Sequence, residues 1–155
     1  MMIAKVKDAN VHKAIIVPFK TTIYEAAKTI KEQRVPTLFF KDEKDEIYIV
    51  TDSDFRQKVI LNRMGFDDCV GKISSTGLIY INENDFLFDA QLIMSKHGLK
   101  RLVVKNNSDE IVGIIDQISL SSFFATHTFS VSNEIDKAQT LEELKNTVKI
   151  IFKNY

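Results

Sequence analysis

Apolar residues recur at helical spacing in two stretches of the chain. In "TTIYEAAKTIKEQ" (21–33), Ile23, Ala26, Ala27 and Ile30 share one face, and in "DFLFDAQLIMSKH" (85–97), Leu87, Ala90 and Met94 do. Thr22 and Glu25 have the spacing of a capping box at the start of the first. Pro36 and Gly98 end the two helices, one by lacking a donor and the other by tolerating a left-handed backbone. A short β-rich run precedes each helix, "AIIV" (14–17) and "LIYI" (78–81). Two strands follow each, "TLFF" with "IYIV" and "RLVV" with "VGII", joined by the polar turns "KDEKDE" (41–46) and "KNNSDE" (105–110). A second helix then begins in each, "SDFRQKVILNRM" and "QISLSSFF".

These are two copies of one unit. Residues 17–46 align on 81–110 without a gap, at an offset of 64, so that Ala26 meets Ala90, Leu38 meets Leu102, and Lys41, Asp45 and Glu46 meet Lys105, Asp109 and Glu110. One extra residue in the second copy then sets "YIVTDSDF" over "GIIDQISL". The order β-α-β-β-α, twice, predicts an α/β (α+β) fold of two pseudo-symmetric units, each burying one sheet face under helices and needing its twin to complete the core. The expected boundaries are 8–66 and 67–126, followed by a C-terminal amphipathic helical segment over 130–155. In that segment Thr140 and Glu143 repeat the capping-box spacing, and Leu141, Leu144, Val148, Ile151 and Tyr155 form an apolar stripe. The helix either folds back on its own chain or carries a signal onward.

Composition narrows the function. Of 155 residues, 21 are basic and 21 acidic, which gives no support to a nucleic-acid footprint. No apolar run reaches the ~18 residues that span a bilayer, and "MMIAKVKDANVHKAIIV" carries acid and polar residues where a signal peptide would be apolar. The expectation is a cytoplasmic protein with neither nucleic acid nor membrane as partner. A single cysteine, Cys69, excludes an internal disulfide, and His12, His97 and His127 lie at no metal-binding spacing. Cys69 is expected in the core, and His97 at a helix C-terminus as a dipole partner.

The chemistry concentrates in Thr51-Asp52-Ser53-Asp54, directly after an apolar strand. The plainer reading is helix capping, with Asp54 three residues after Thr51 at the positive end of a helix. The functional reading uses the same geometry to hold a ligand: free amides and the Thr51 hydroxyl meet a phosphate, while Asp54 accepts from ribose hydroxyls. Asp52-x-Asp54 is also the DxD of metal-dependent transferases, but no Gly-Ser phosphate loop precedes it. No nucleophile triad can be assembled from three scattered histidines. The chain is therefore expected not to be an enzyme, with no catalytic residue and no metal.

"YIVTDSD" (48–54), its weaker echo "VGIIDQIS" (112–119) and "GLKRLVV" (98–104) together resemble a pair of CBS domains, the tandem called a Bateman module. The likeness spans residues 8 to 125. "VTDSDFRQKVI" followed by "EIDKAQTLEELKNTV" is most similar to the CBS pair of bacterial signal-transduction proteins that carry a nucleotidyltransferase-like domain, here absent from the chain.

The resemblance implies a regulatory module that senses AMP, ADP or ATP, or another adenosyl compound, between its two CBS domains and signals to an effector domain or partner. It implies no tightly bound cofactor. Thr51 and Asp54 would take phosphate and ribose, Ser74 and Ile79 would line the adenine pocket, and Arg101 would reach the phosphates. Against this stand surface placement for Arg101 and core packing for Ile79. Tyr48 stands where the family favours glycine, which restricts backbone approach or lets the ring stack on a neighbour. In the second copy Asp116 replaces the threonine and Ser119 the ribose aspartate, which implies one competent and one degenerate site. The resemblance further implies a disk-like homodimer, with Phe55, Val59, Ile60, Leu120, Phe123 and Phe124 as the apolar surface available for it. The alternative is a structural homodimerisation module in which Asp54 is only a cap.

Overall fold

The structure, a computed structural model, describes residues 4–136 and positions 140, 142, 143, 145, 146 and 149 of the tail, with side chains described to 127 and at those tail positions. The chain forms β1 (His12–Lys13), α1 (Ile23–Gln33), β2 (Thr37–Lys41), β3 (Ile47–Thr51), α2 (Asp52–Asp54), β4 (Tyr80–Asn82), α3 (Leu87–His97), β5 (Arg101–Lys105), β6 (Ile111–Asp116) and α4 (Gln117–Asp136). α2 widens into a π-helical segment, Phe55–Ile60. β2 and β3 pair antiparallel, from Thr37 opposite Thr51 to Lys41 opposite Ile47. The other strands form a sheet in the order β1-β6-β5-β4.

The α/β architecture expected from the pattern is present, and the repeat persists to the level of single hydrogen bonds. In the first turn Asp42 Oδ1 accepts the amides of Lys44 and Glu46, at 2.8 and 2.9 Å. In the second turn Asn106 Oδ1 accepts those of Ser108 and Glu110, at 2.9 and 3.0 Å. Asp45 and Asp109 both take a left-handed φ, 60° and 62°. The turns therefore close on a side chain that mimics a backbone acceptor.

The two copies differ where their helices begin and end. Thr22 and Glu25 form the full capping box: Glu25 N–H donates to Thr22 Oγ1 at 3.1 Å, and Thr22 N–H to Glu25 Oε2 at 3.0 Å. Phe86 precedes α3 with no side-chain cap. Arg34, at φ 53°, rather than Pro36, is the residue that turns the chain out of α1, as Gly98 does at φ 63° for α3. Ala27 lies exposed on α1, while Ile23 and Ala26 are buried. α4 does not stop at Phe124 but runs unbroken to Asp136.

The segment preceding each repeat pairs with the other repeat. Leu87 N–H donates to Ala4 O at 2.8 Å and Val6 N–H to Asp85 O at 3.0 Å. At the offset of 64, Ile23 N–H donates to Asp68 O and Val70 N–H to Thr21 O, each at 2.9 Å. Both Val6 and Val70 are fully buried and each opens a short 3-10 turn, Val6–Asp8 and Val70–Ile73. The same exchange sets the outer lanes: His12 pairs with Ile114 of β6, and Ser75 bridges Ile49 of β3.

Two compact units result, each discontinuous in sequence. One comprises residues 12–80 with 103–114, and the other 1–11 with 81–102 and 115–155. In the first, β2 is buried on both faces: Leu38 and Phe40 join Ile23, Ala26, Val50, Val59, Val70 and Ile73, while Phe39 faces Val103 and Ile114. Burying such side chains contributes roughly 1.5–3 kcal/mol each. In the second, the buried residues include Leu87, Ala90, Met94, Leu102, Ile115 and Leu120. No helix among the described residues is long and apolar enough to cross a membrane.

Two residues expected on a pairing surface lie inside instead. Val59 is 4% exposed and Leu120 0%, because each helix turns that face onto its own unit. Phe55 packs beside Val59 on the same core, whereas Ile60 is 68% exposed. Phe123 stacks on His127 and meets Phe124 edge to face. Thr140 and Glu143 do form their cap, with Glu143 N–H donating to Thr140 Oγ1 at 3.1 Å. Leu141, Leu144, Val148, Ile151 and Tyr155 lie outside the described residues.

Candidate functional site

The candidate site is built on the junction where β3 ends at Thr51 and α2 begins at Asp52. Thr51 is extended, at φ −129° and ψ 166°, and 8% exposed, so its polar atoms need partners inside the protein. Asp54 supplies them. Its Oδ2 accepts both the amide and the hydroxyl of Thr51, each at 2.9 Å. Its Oδ1 pairs with Lys58 Nζ at 2.8 Å, one helical turn further on.

Lys58 extends this network to a distant part of the chain. Besides Asp54, its ammonium donates to Ile73 O at 2.7 Å and to Ser75 Oγ at 3.2 Å. Its three donors are thus matched by three acceptors. Ser75 is in turn fixed against β3, exchanging two 2.9 Å hydrogen bonds with Ile49. The start of α2, the edge of β3 and the 73–75 segment are held as one polar cluster. Asp54 is 13% exposed and Lys58 35%, so the pair is only partly open to water.

The other expected residues fall as follows. Ser74 is half-buried and donates to Gly71 O at 2.8 Å, closing its own turn, so that Ser75 rather than Ser74 joins the Lys58 network. Ile79 is half-buried beside β5, its carbonyl accepting from Val103 N–H at 3.1 Å. Thr51, Asp54, Ser74 and Ile79 all belong to the unit 12–80 with 103–114. Arg101 belongs to the other unit, where it opens β5 with a buried Nε that has no hydrogen-bond partner among the described residues.

Tyr48, at the family's glycine position, is stacked. Its ring lies parallel to Phe40 at 6.0 Å between centroids and edge-on to Phe19 at 5.6 Å. Its hydroxyl donates to Glu46 Oε2 at 3.1 Å, and burial together with that acidic acceptor pushes the phenol above its ordinary value.

In the second copy the polar roles are reversed. Asp116 Oδ1 accepts the amide of Ser119 at 2.8 Å, so the carboxylate now precedes the helix and caps it, and Ser119 is 4% exposed. Sequence reasoning missed Lys58 and Ser75. The spacing of Asp54 and Lys58 four residues apart was a legible signal for an ion pair. Nothing local announces that the same ammonium reaches Ile73 and Ser75. Among the described residues no group of three His, Cys, Asp or Glu side chains could hold a metal ion.

A fold of two repeated α/β units, each with a strand-to-helix junction of this kind, defines a class, and comparison with known proteins identifies it. Residues 70–125 match the CBS domain. An uncharacterized protein of Methanocaldococcus jannaschii is 30% identical over 138 residues, covering 86% of this chain and 68% of that protein. The chain belongs to the CBS domain family.

It spans about a fifth of another relative, the CBS domain-containing protein CBSCBSPB1 of Arabidopsis thaliana, at 28% identity over 113 residues (21% of that protein). Among solved structures, a CBS domain protein of Pyrobaculum aerophilum complexed with AMP has a TM-score of 0.65 at 19% identity, covering 79% of this chain and 98% of that one. A CBS domain pair in complex with 5′-methylthioadenosine and S-adenosyl-L-methionine has a TM-score of 0.68 at 23% identity, covering 81% and 99%. At these identities the likeness is one of fold.

Proposed function

We propose that the chain is a regulatory ligand-binding module that senses an adenine nucleotide (AMP, ADP or ATP) or a related adenosyl compound and passes that state to an effector domain or partner. The observation that carries this reading is the half-closed polar cluster around Asp54 at the β3–α2 junction, in a fold shared with CBS proteins solved with AMP and with S-adenosyl-L-methionine. A carboxylate offers about four acceptor positions. Thr51 uses two and Lys58 one, which leaves one for a ribose hydroxyl. The amides at the start of α2 would face the phosphate, with Thr51 beside them, and Ser74 and Ile79 would face the base. Asp116 places a carboxylate where the second copy would meet a phosphate, so one competent site per chain is the expectation.

Regulation requires that ligand favour one arrangement of the module over another, since a ligand with equal affinity for both shifts nothing. The receiving element is proposed to lie beyond α4, as a nucleotidyltransferase-like domain or a second copy of this chain in a homodimer, in the cytoplasm.

One observation favours a structural homodimerisation module instead: Asp54 already serves Thr51 as a cap. Thermal unfolding of the wild type and Asp54→Ala with AMP, ADP, ATP and S-adenosylmethionine, each with and without magnesium, separates the two. A ligand at one hundred times its Kd adds about 2.7 kcal/mol, which raises Tm by several degrees. Stabilisation of the wild type alone supports the sensor. If no compound moves either protein and Asp54→Ala melts lower unaided, the cluster is a cap and the module a scaffold.

A further inference from the structure

The Asp54–Lys58 pair has a consequence for ligand charge. A nucleotide whose ribose reaches Asp54 brings its phosphate to within roughly 6 Å of that carboxylate, inside the screening length of ~8 Å at physiological salt. A bare carboxylate there would repel the anion. In this chain the charge is cancelled inside the network: Lys58 Nζ lies 2.8 Å from Asp54 Oδ1 and is anchored from behind by Ile73 O at 2.7 Å and Ser75 Oγ at 3.2 Å. The anchor matters because a free lysine would sample many rotamers and neutralise only part of the time, whereas this one is held by two acceptors fixed to β3 and the 70–73 turn.

We infer that Lys58 is a specificity-determining residue, whose fixed charge lets the site around Asp54 take an anionic nucleotide in place of an uncharged nucleoside. The inference rests on the adenosyl-binding reading and adds to it the class of ligand: one carrying at least one phosphate. Lys58 itself need not touch the phosphate, because its donors are already used. It acts through Asp54, by removing a repulsion.

The test is the ratio of affinities for AMP and adenosine, measured by titration calorimetry on the full chain. The variants are Lys58→Met, which removes charge and donors, Lys58→Gln, which removes charge but keeps an amide donor, and Lys58→Arg, which keeps the charge. Both neutral variants should lose AMP affinity relative to adenosine by about tenfold, the size expected of one unit charge ~6 Å away in a partly solvated site. Lys58→Arg should retain the wild-type ratio, and the loss in the neutral variants should shrink as salt rises.

If Lys58→Met is too unstable to measure, Lys58→Gln carries the same expectation. Equal weakening of AMP and adenosine in the neutral variants would make Lys58 a structural tie only, overturning the inference while leaving the adenosyl reading intact. A wild type that binds neither compound overturns the adenosyl reading, and the inference with it.

Discussion

Thr51 gives both its amide and its hydroxyl to a single oxygen of Asp54, each at 2.9 Å. At the matching position of the second repeat the direction is reversed: the acid comes first, and Asp116 accepts the amide of Ser119 at 2.8 Å. One backbone junction is thus satisfied by two chemistries, one of which leaves its acid on the helix and the other before it.

Asp54→Ala should therefore destabilise the unliganded protein. It strips two donors of a buried residue of their acceptor and leaves Lys58 without its counter-charge, a loss of about 1–3 kcal/mol. Urea unfolding should show a lower midpoint with an unchanged slope. Asp54→Asn, which keeps an acceptor for Thr51, should lose less.

The capping box of α1 makes a pH prediction. Glu25 is held below its ordinary value of 4.5, first by the amide of Thr22 and then by its hydroxyl. A carboxylate lowered on folding contributes stability that is fully present above its unfolded pKa and is lost as pH falls through the folded value. Asp68, lowered chiefly by its hydrogen bond from Lys72, adds in the same sense. Urea midpoints measured from neutral pH down to about pH 3 should fall below pH 4.5, and Glu25→Gln should flatten part of that fall. Thr22→Ala should cost about 1 kcal/mol at neutral pH.

Gly71 is required by its neighbour. A Cβ there would lie 2.8 Å from Phe19 Cζ and 3.1 Å from Cε1, and the Phe19 ring is edge-on to both Phe40 and Tyr48, so it has little room to withdraw. Gly71→Ala should destabilise by about 1–3 kcal/mol, the usual range for overpacking. Phe19→Leu in the same background should recover part of that loss in unfolding experiments.

Arg34 offers a gain. It holds φ 53° at the end of α1, where the second repeat uses Gly98 at φ 63°. Arg34→Gly relieves a left-handed side chain and should stabilise by about 0.5–1 kcal/mol in thermal unfolding. A null result would mean that the extra freedom of glycine in the unfolded chain cancels the relief.

What the sequence determined by itself is everything set by short-range chemistry. The offset of 64 is legible because the two copies keep like residues in register, and the strand and helix order, the Thr22–Glu25 and Thr140–Glu143 boxes and the turns at Asp42 and Asn106 because each partner lies within a few residues of the other. The Thr51–Asp54 contact was legible for the same reason. Only the tertiary structure decided which repeat each leading segment serves, since Ala4 with Leu87 and Asp68 with Ile23 are pairings between residues far apart in the chain, with several helices and strands between them and no local signature. It also turned Val59 and Leu120 inward: apolar spacing marks a helix face but does not say whether that face meets its own core or another surface. Lys58 shows both at once. Its spacing from Asp54 was written in the sequence, while its reach to Ile73 and Ser75, fifteen and seventeen residues away, exists only because β3 holds that segment in place.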